Sequence, residues 1–131
     1  MNATQPKRRI LVLEDDEDLR FIYARTMRRA GFEVREAATL ADANRFIDNE
    51  HFDVVFFDIR LEGERSTDIL RARAQELRKK GTYIIVISAE SQYADLAEEL
   101  GAHFFLVKPV ELSSLVTLVE RLLSDPEGAN S

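Results

Sequence analysis

A chain of 131 residues with 45% apolar and 32% charged side chains is suited to one compact domain with a real core, and not to a disordered segment. It contains no cysteine, which excludes disulfide frameworks, zinc–thiolate sites and thiol nucleophiles. The formal net charge of −6 lowers the expectation of general nucleic-acid binding, which needs a basic footprint. The start MNATQPKRR lacks the apolar stretch of a signal peptide, and the longest apolar runs, VVFF and YIIVI, are too short to span a bilayer. The expected location is therefore the cytoplasm, without membrane contact.

In chain order, residues 1–8 read as a flexible N-terminus and ILVL (10–13) as the first strand. Leu19, Ile22, Met27 and Ala30 keep one face of a first helix, with Arg20, Arg25, Arg28 and Arg29 mostly on the other. FEV (32–34) is a second strand. Leu40, Ala43 and Ile47 predict a short second helix with Thr39 as its N-cap. VVFF (54–57) is the third strand; Ile69, Leu70, Arg73, Ala74 and Leu77 predict a third helix, starting near Ser66 or Thr67 and closed by Gly81. YIIVI (83–87) is followed by a fourth helix through Tyr93, Leu96, Ala97 and Leu100, closed by Gly101. FFLV (104–107) precedes a fifth helix through Leu112, Leu115, Val119 and Leu122. Val116, Leu118 and Leu123 add apolar surface beyond that stripe, either a partner face or generous packing. The tail from Ser124 is polar and turn-rich, so 124–131 reads as flexible and 9–123 as the only domain.

Five strand–helix repeats require crossover connections, which are right-handed, so the expected fold is α/β: a doubly wound parallel sheet with helices on both faces. Ligands of such sheets bind beyond the carboxyl ends of the strands. There the sequence places Glu14, Asp15 and Asp16 after the first strand, Asp58 after the third, Ser88 after the fourth, and Lys108 with Pro109 after the fifth. Carboxylates gathered at one edge repel unless a cation joins them, and hard oxygen ligands with room for phosphate oxygens suit Mg²⁺ or Ca²⁺. Asp58 can act as a carboxylate nucleophile, Lys108 as a fixed charge for phosphate oxygens, and Ser88 as a hydroxyl donor. The commoner structural roles stand beside these: Asp16 as a helix cap, Ser88 as a cap, Lys108 as a solvated lysine, Phe105 as core, and the arginines of the first helix as a solvated face. His51 and His103 have no partner at metal-ligand spacing and read as surface or loop residues.

The stretches RILVLEDDEDLR, VVFFDI, VISAE and FLVKP, in that order over about residues 8–123, resemble the motifs of response-regulator receiver domains of two-component signalling, the chemotaxis-regulator-like superfamily. The resemblance implies a five-stranded (βα)5 flavodoxin-like fold of strand order 2-1-3-4-5. It implies phosphoryl transfer to Asp58 from a histidine kinase or histidine phosphotransfer protein, supported by Mg²⁺, with Mn²⁺ as a substitute. Glu14, Asp15, Asp58 and the Arg60 backbone carbonyl would be the metal ligands. Lys108 would bind phosphate, Ser88 would be the switch hydroxyl beside a small Ala89, and Phe105 the switch aromatic. Such a chain is not a conventional enzyme; it catalyses its own phosphorylation from a donor and its own dephosphorylation. It would signal by contact with a downstream protein, with a phosphorylation-dependent dimer as one form and no DNA-binding domain. The first helix is similar to the family's docking surface for the phosphodonor, which gives Arg25 and Arg28 a functional reading.

The chain departs from the family pattern after Asp58, where IRLEGERSTDIL lacks the usual proline at Glu62 and glycine at Ser66. Ser88 and Lys108 are only 20 residues apart, which predicts a short fourth helix. Arg60 and Glu90 occupy two variable flanking positions; an ion pair between them would shield the acyl phosphate, or Arg60 would contact the phosphoryl group directly or point to solvent. A pseudo-receiver, binding partners without phosphorylation, is the alternative reading. An aspartyl-nucleophile phosphatase would want a second acid where Arg60 stands, and a flavodoxin-like cofactor binder would want a phosphate loop where Glu14–Asp18 repels phosphate.

Overall fold

The computed structural model describes residues 7–59 and 64–124. Five strands, β1 (Arg9–Leu13), β2 (Glu33–Ala37), β3 (Val54–Ile59), β4 (Tyr83–Ser88) and β5 (Phe104–Val107), alternate with five helices. These are α1 (Glu17–Arg29), α2 (Leu40–Asn49), α3 (Glu64–Lys79), α4 (Ala94–Leu100) and α5 (Leu112–Ser124), with a 3-10 turn over Ser91–Tyr93 before α4. Every strand pair is parallel and the order is β2-β1-β3-β4-β5, the doubly wound arrangement expected.

The sheet divides the core in two because successive strand residues point to opposite faces. Ile10, Val12, Val34, Val54, Phe56, Ile85 and Ile87 face α1 and α5, where they meet Tyr23, Ala24, Met27, Leu115, Val119 and Leu123. Leu11, Leu13, Ala37, Val55, Phe57, Ile84 and Val86 face α2, α3 and α4, against Ala43, Ile47, Ile69, Leu70, Ala74, Leu77 and Ala97. The near-continuous apolar runs of β1, β3 and β4 thus supply both layers at once. Each large side chain so buried contributes on the order of 2 kcal/mol.

The two edge strands explain where the sequence pattern was weakest. β2 runs to Ala37, three residues past the apolar FEV, because only Val34 and Ala37 are buried and the rest are charged. Those charges are tied in: Arg9 lies 3.2 Å from Glu33 and 3.5 Å from Glu50, and Arg35 lies 3.1 Å from Glu50. A charged edge also resists pairing with another chain. β5, the other edge, leaves Phe104 and Val107 exposed.

The expected face of α1 needs correction. Its buried line is Tyr23, Ala24 and Met27, whereas Ile22 is 40% exposed and Leu19 packs only at the margin. Tyr23 takes the inward position by setting its ring edge-on to Phe56, with centroids 6.4 Å apart. In α5 the core line includes Leu123, and Leu122, Val116 and Leu118 pack partly against it. Most of the surplus apolar surface expected there is packing.

The caps follow the sequence. Asp16 accepts from the Leu19 amide and Thr39 from the Asp42 amide, each closing a first turn. Gly101 ends α4 at φ +115°, and a Cβ there would come within 2.8 Å of the Ala74 Cβ on α3. α4 has only seven residues, the short helix that the Ser88–Lys108 spacing predicts.

Candidate functional site

The carboxyl ends of β1, β3 and β5 bring Glu14, Asp58 and Lys108 together. Glu14 follows β1, and its backbone is held from two sides: its N–H donates to Ala37 O at 3.0 Å and its carbonyl accepts from Arg20 Nη1 at 2.9 Å. Its side chain is buried (1% exposed), and Oε2 accepts from the Asp16 N–H at 3.0 Å. Asp58 lies inside β3, since the ladder with β4 continues through the Asp58–Ile87 and Ile59–Ser88 pairs, and it is 6% exposed. Lys108 follows β5, anchored by its N–H to Ser88 O at 2.8 Å, and its peptide bond to Pro109 is cis. Lys108 Nζ lies 2.5 Å from Asp58 Oδ2 and 3.5 Å from Glu14 Oε1.

Two buried carboxylates share one ammonium, and the balance shows in their protonation. The Glu14 carboxyl is pushed up to about 7, first by burial and then by its hydrogen bond and charge contact with Asp58; the Asp16 amide and Lys108 pull the other way. For Lys108, burial works against the charged form, but the Asp58 hydrogen bond and the charges of Asp58 and Glu14 outweigh it and hold the ammonium above its usual range. Near neutral pH the cluster has room for one more positive charge, either a proton on Glu14 or a cation.

The donor chemistry fits a hard divalent ion. Glu14 Oε1 is buried and accepts no hydrogen bond, and Glu14 and Asp58 both offer carboxylate oxygens at this edge. Asp15 stands next to Glu14 and is exposed. Among the described residues, no three His, Asp or Glu side chains form a group that could hold a metal ion, and Lys108 stands against both buried acids. Arg60, expected to add a carbonyl ligand and to pair with Glu90, lies outside the described residues, as do Glu62 and most of the unusual loop.

The remaining expected residues are distributed around this cluster. Ser88 is fully buried at the end of β4, and its Oγ accepts from the Glu90 N–H at 3.0 Å, the turn-capping role that a serine commonly takes. Ala89 is exposed and Glu90 half-buried in the connection that follows. Phe105 is half-buried and packs against the core layer under α2–α4. His51 is exposed, 3.7 Å from Asp53. His103 is more than a loop residue: its Nδ1 accepts from the Ile84 N–H at 3.0 Å while its own N–H donates to Ile84 O at 2.8 Å, at the sheet end away from the site.

Sequence reasoning missed three features. Arg20 does not sit on a solvated face; it reaches back to the Glu14 carbonyl and forward to Glu36, with Nε 3.5 Å from Oε1. Arg28 is likewise engaged, donating to Glu36 at 2.9 Å and to Val34 O at 3.0 Å. The charges of β2 were the available signal, because acids on a strand beside a helix rich in arginine invite pairing. The third feature is an open groove of about 510 Å³ beside Lys108, lined by Leu19, Ile22 and Tyr23 of α1 and by Pro109, Val110 and Leu112. Phe21, 53% exposed, lies on the same helix.

A five-stranded doubly wound parallel sheet with two buried acids and a lysine at its carboxyl edge defines a flavodoxin-like fold of the chemotaxis-regulator type. The family model of the response regulator receiver domain matches residues 10–120, and the chain belongs to that family, whose members accept a phosphoryl group in two-component signalling. It is 33% identical over 124 residues to the DNA-binding transcriptional regulator NtrC of a Bradyrhizobium species, covering 93% of this chain and 25% of that protein. It is 35% identical over 120 residues to the transcriptional regulatory protein PrrA of Mycobacterium tuberculosis, covering 88% of this chain and 49% of that protein. The chain thus spans about a quarter to a half of the length of these curated relatives. Among solved structures, a CheY-like response regulator receiver domain protein from Methanospirillum hungatei superposes with a TM-score of 0.83 at 27% identity, covering 95% of this chain and 99% of that one. A response regulator from Thermotoga maritima gives a TM-score of 0.79 at 25% identity, covering 91% and 99%.

Proposed function

We propose that Asp58 is the phosphoacceptor, taking a phosphoryl group from the phosphohistidine of a histidine kinase or phosphotransfer protein, and that the phosphorylated domain signals by contact with a downstream protein. The observation that carries this reading is the buried Asp58–Lys108–Glu14 cluster. An Asp58 oxygen attacks phosphorus; a P–O bond forms as the P–N bond to the donor imidazole breaks, and the imidazole leaves with the electron pair and takes up a proton from water. Lys108, already against both acids, offers its ammonium to a phosphoryl oxygen. Glu14, Asp15 and Asp58, with the Arg60 carbonyl, would hold Mg²⁺, or Mn²⁺ in its place; when bound, the metal offsets the charge of the phosphoryl oxygens.

After transfer, the Ser88 hydroxyl turns from its capping role to donate to the phosphoryl group, with Ala89 leaving space for it. Phe105 repacks, biasing the surface of α4 and β5. A phosphorylation-dependent dimer is one use of that surface, where Phe104 and Val107 are exposed. An Arg60–Glu90 pair would slow hydrolysis of the acyl phosphate. The cytoplasm, where kinases of this kind deliver phosphate, is the location this chemistry suits. The donor docks along α1, where the apolar groove beside Lys108 and the exposed Phe21 and Ile22 offer more than Arg28, which is bound to Glu36.

The test is labelling by acetyl phosphate with Mg²⁺, read as the mass of the intact protein. The parent gains one phosphoryl group and Asp58→Asn gains none. A parent that takes no label at any Mg²⁺ concentration removes this reading and leaves a phosphorylation-independent binding module.

A further inference from the structure

We infer that Arg20 is a positioning residue of this site, holding the acidic turn after β1 in its metal-binding direction through the Glu14 carbonyl, with Glu36 of β2 as its anchor. The inference rests on the proposed phosphorylation chemistry and gives a role to Arg20, the last residue of the stretch RILVLEDDEDLR.

The guanidinium of Arg20 is mostly buried and bridges two elements. Nη1 donates to Glu14 O at 2.9 Å, and Nε lies 3.5 Å from Glu36 Oε1. Glu36 is held in turn by Arg28, whose Nη1 meets Oε2 at 2.9 Å and whose Nη2 donates to Val34 O at 3.0 Å. Helix α1, strand β2 and the turn at Glu14 are therefore joined by one chain of charge-assisted hydrogen bonds. A planar guanidinium with donors on several edges can grip a carbonyl and a carboxylate together, which an ammonium does poorly.

This brace matters because of what else fixes Glu14. From the other side its N–H is bonded to Ala37 O on β2, so both peptide groups of Glu14 are tied to or through the β2 edge. Rotation about that residue would swing the buried carboxylate away from Asp58 and Lys108, and would move Asp15 with it. A partner of this kind, one step behind the ligands, commonly governs metal affinity by about 10–100-fold. The brace also connects the metal-binding turn to α1, the helix proposed to meet the donor.

The experiment compares the full chain with Arg20→Met, Glu36→Gln and Arg73→Met. Arg73 joins α2 and α3 through Asp48 and Asn44, away from the site, and serves as a control for stability loss. Calorimetric titration gives the Mg²⁺ Kd, and acetyl phosphate labelling gives the rate at saturating Mg²⁺. Arg20→Met is expected to raise Kd about tenfold or more while the saturated rate stays within about twofold. Glu36→Gln is expected to raise Kd by less, to add nothing to Arg20→Met, and Arg73→Met is expected to leave Kd unchanged. A parent-like Kd in folded Arg20→Met overturns the inference, as does an equal rise in Arg73→Met. If Arg20→Met does not fold, Arg20→Lys decides: a raised Kd supports the brace and a parent-like Kd overturns it. A parent that binds Mg²⁺ without being labelled refutes the phosphorylation reading and not the brace.

Discussion

Lys108 and Asp58 come from the ends of two strands that do not neighbour each other, yet Nζ and Oδ2 are 2.5 Å apart, with Glu14 Oε1 3.5 Å from the same ammonium. β4 lies between them and sets the separation, because Lys108 is fixed to β4 through Ser88 O. The ammonium is what allows two carboxylates to remain buried at one edge. Removing it has a predictable consequence.

Lys108→Met leaves Asp58 and Glu14 facing each other without a cation. Breaking a buried pair costs about 3–5 kcal/mol, and the partial solvent access of Lys108 reduces this to about 2 kcal/mol at pH 8. At pH 5, where Glu14 carries a proton, the loss is expected to shrink to less than half. Urea denaturation at the two pH values measures both numbers, and an equal loss at each would contradict the coupling.

Glu14 itself carries a pH signature. Its folded value is about 7 against 4.5 for an ordinary glutamate, so the folded state holds the proton more tightly. The stabilisation is complete below about 4.5 and is lost as pH rises through about 7. Glu14→Gln, neutral throughout, should gain stability relative to the parent between pH 5 and 8. Mg²⁺ added at pH 8 should raise the parent's Tm more than that of the variant, as thermal melts would show.

His103 has the opposite sign. Burial, and then the charge of Arg78, lower its pKa below 6.5, and the neutral ring is the form whose Nδ1 accepts the Ile84 N–H. Its contribution is present above 6.5 and falls as pH drops below that value toward the folded pKa. His103→Phe should lose about 1 kcal/mol at pH 7.5, and the deficit should narrow on acidification. The comparison is best made in a Glu14→Gln background, where the opposing titration is silent. A deficit that widens toward acid would exclude this role for Nδ1.

The glycines at helix ends separate strain from crowding. Gly31 has φ +102° and open space around it, so Gly31→Ala should cost about 1 kcal/mol for backbone strain alone. Gly101 has φ +115° and faces Ala74 at 2.8 Å, so Gly101→Ala should cost about 3 kcal/mol and loosen α4 from α3. Equal denaturation midpoints for the two variants would refute the close approach of α3 and α4.

Donor docking is tested on α1. Phe21→Ser with Ile22→Ser, both exposed, should leave stability within about 0.5 kcal/mol. Labelling by acetyl phosphate should be unchanged, and transfer from a phosphorylated histidine protein should slow about tenfold. Equal slowing of both reactions would place these residues outside the docking surface.

The sequence by itself determined the fold class and the order of elements, and it pointed to the polar residues that the sheet gathers at its carboxyl edge. β1, β3 and β4 are buried on both faces, so their residues must be apolar almost without interruption and stand out in any reading. The ends of those runs then point to Glu14, Asp58 and Ser88, and the end of the FFLV run of β5 points to Lys108. Edge strands carry no such constraint, which is why β2 read three residues short, and a helix whose core line includes a tyrosine hid the true inward face of α1. Only the tertiary structure decided which charges meet. Ion pairs follow distance in space, and nothing in the spacing of Glu14, Arg20 and Glu36 shows that strand β2 lies beside β1 in register, Leu13 against Ala37, so that one guanidinium spans them. It likewise decided that the Ser88 hydroxyl is engaged with Glu90, and that Lys108 is shared between two acids. Sequence pattern reports burial, and burial is an average over a face; a hydrogen bond needs a particular distance and direction.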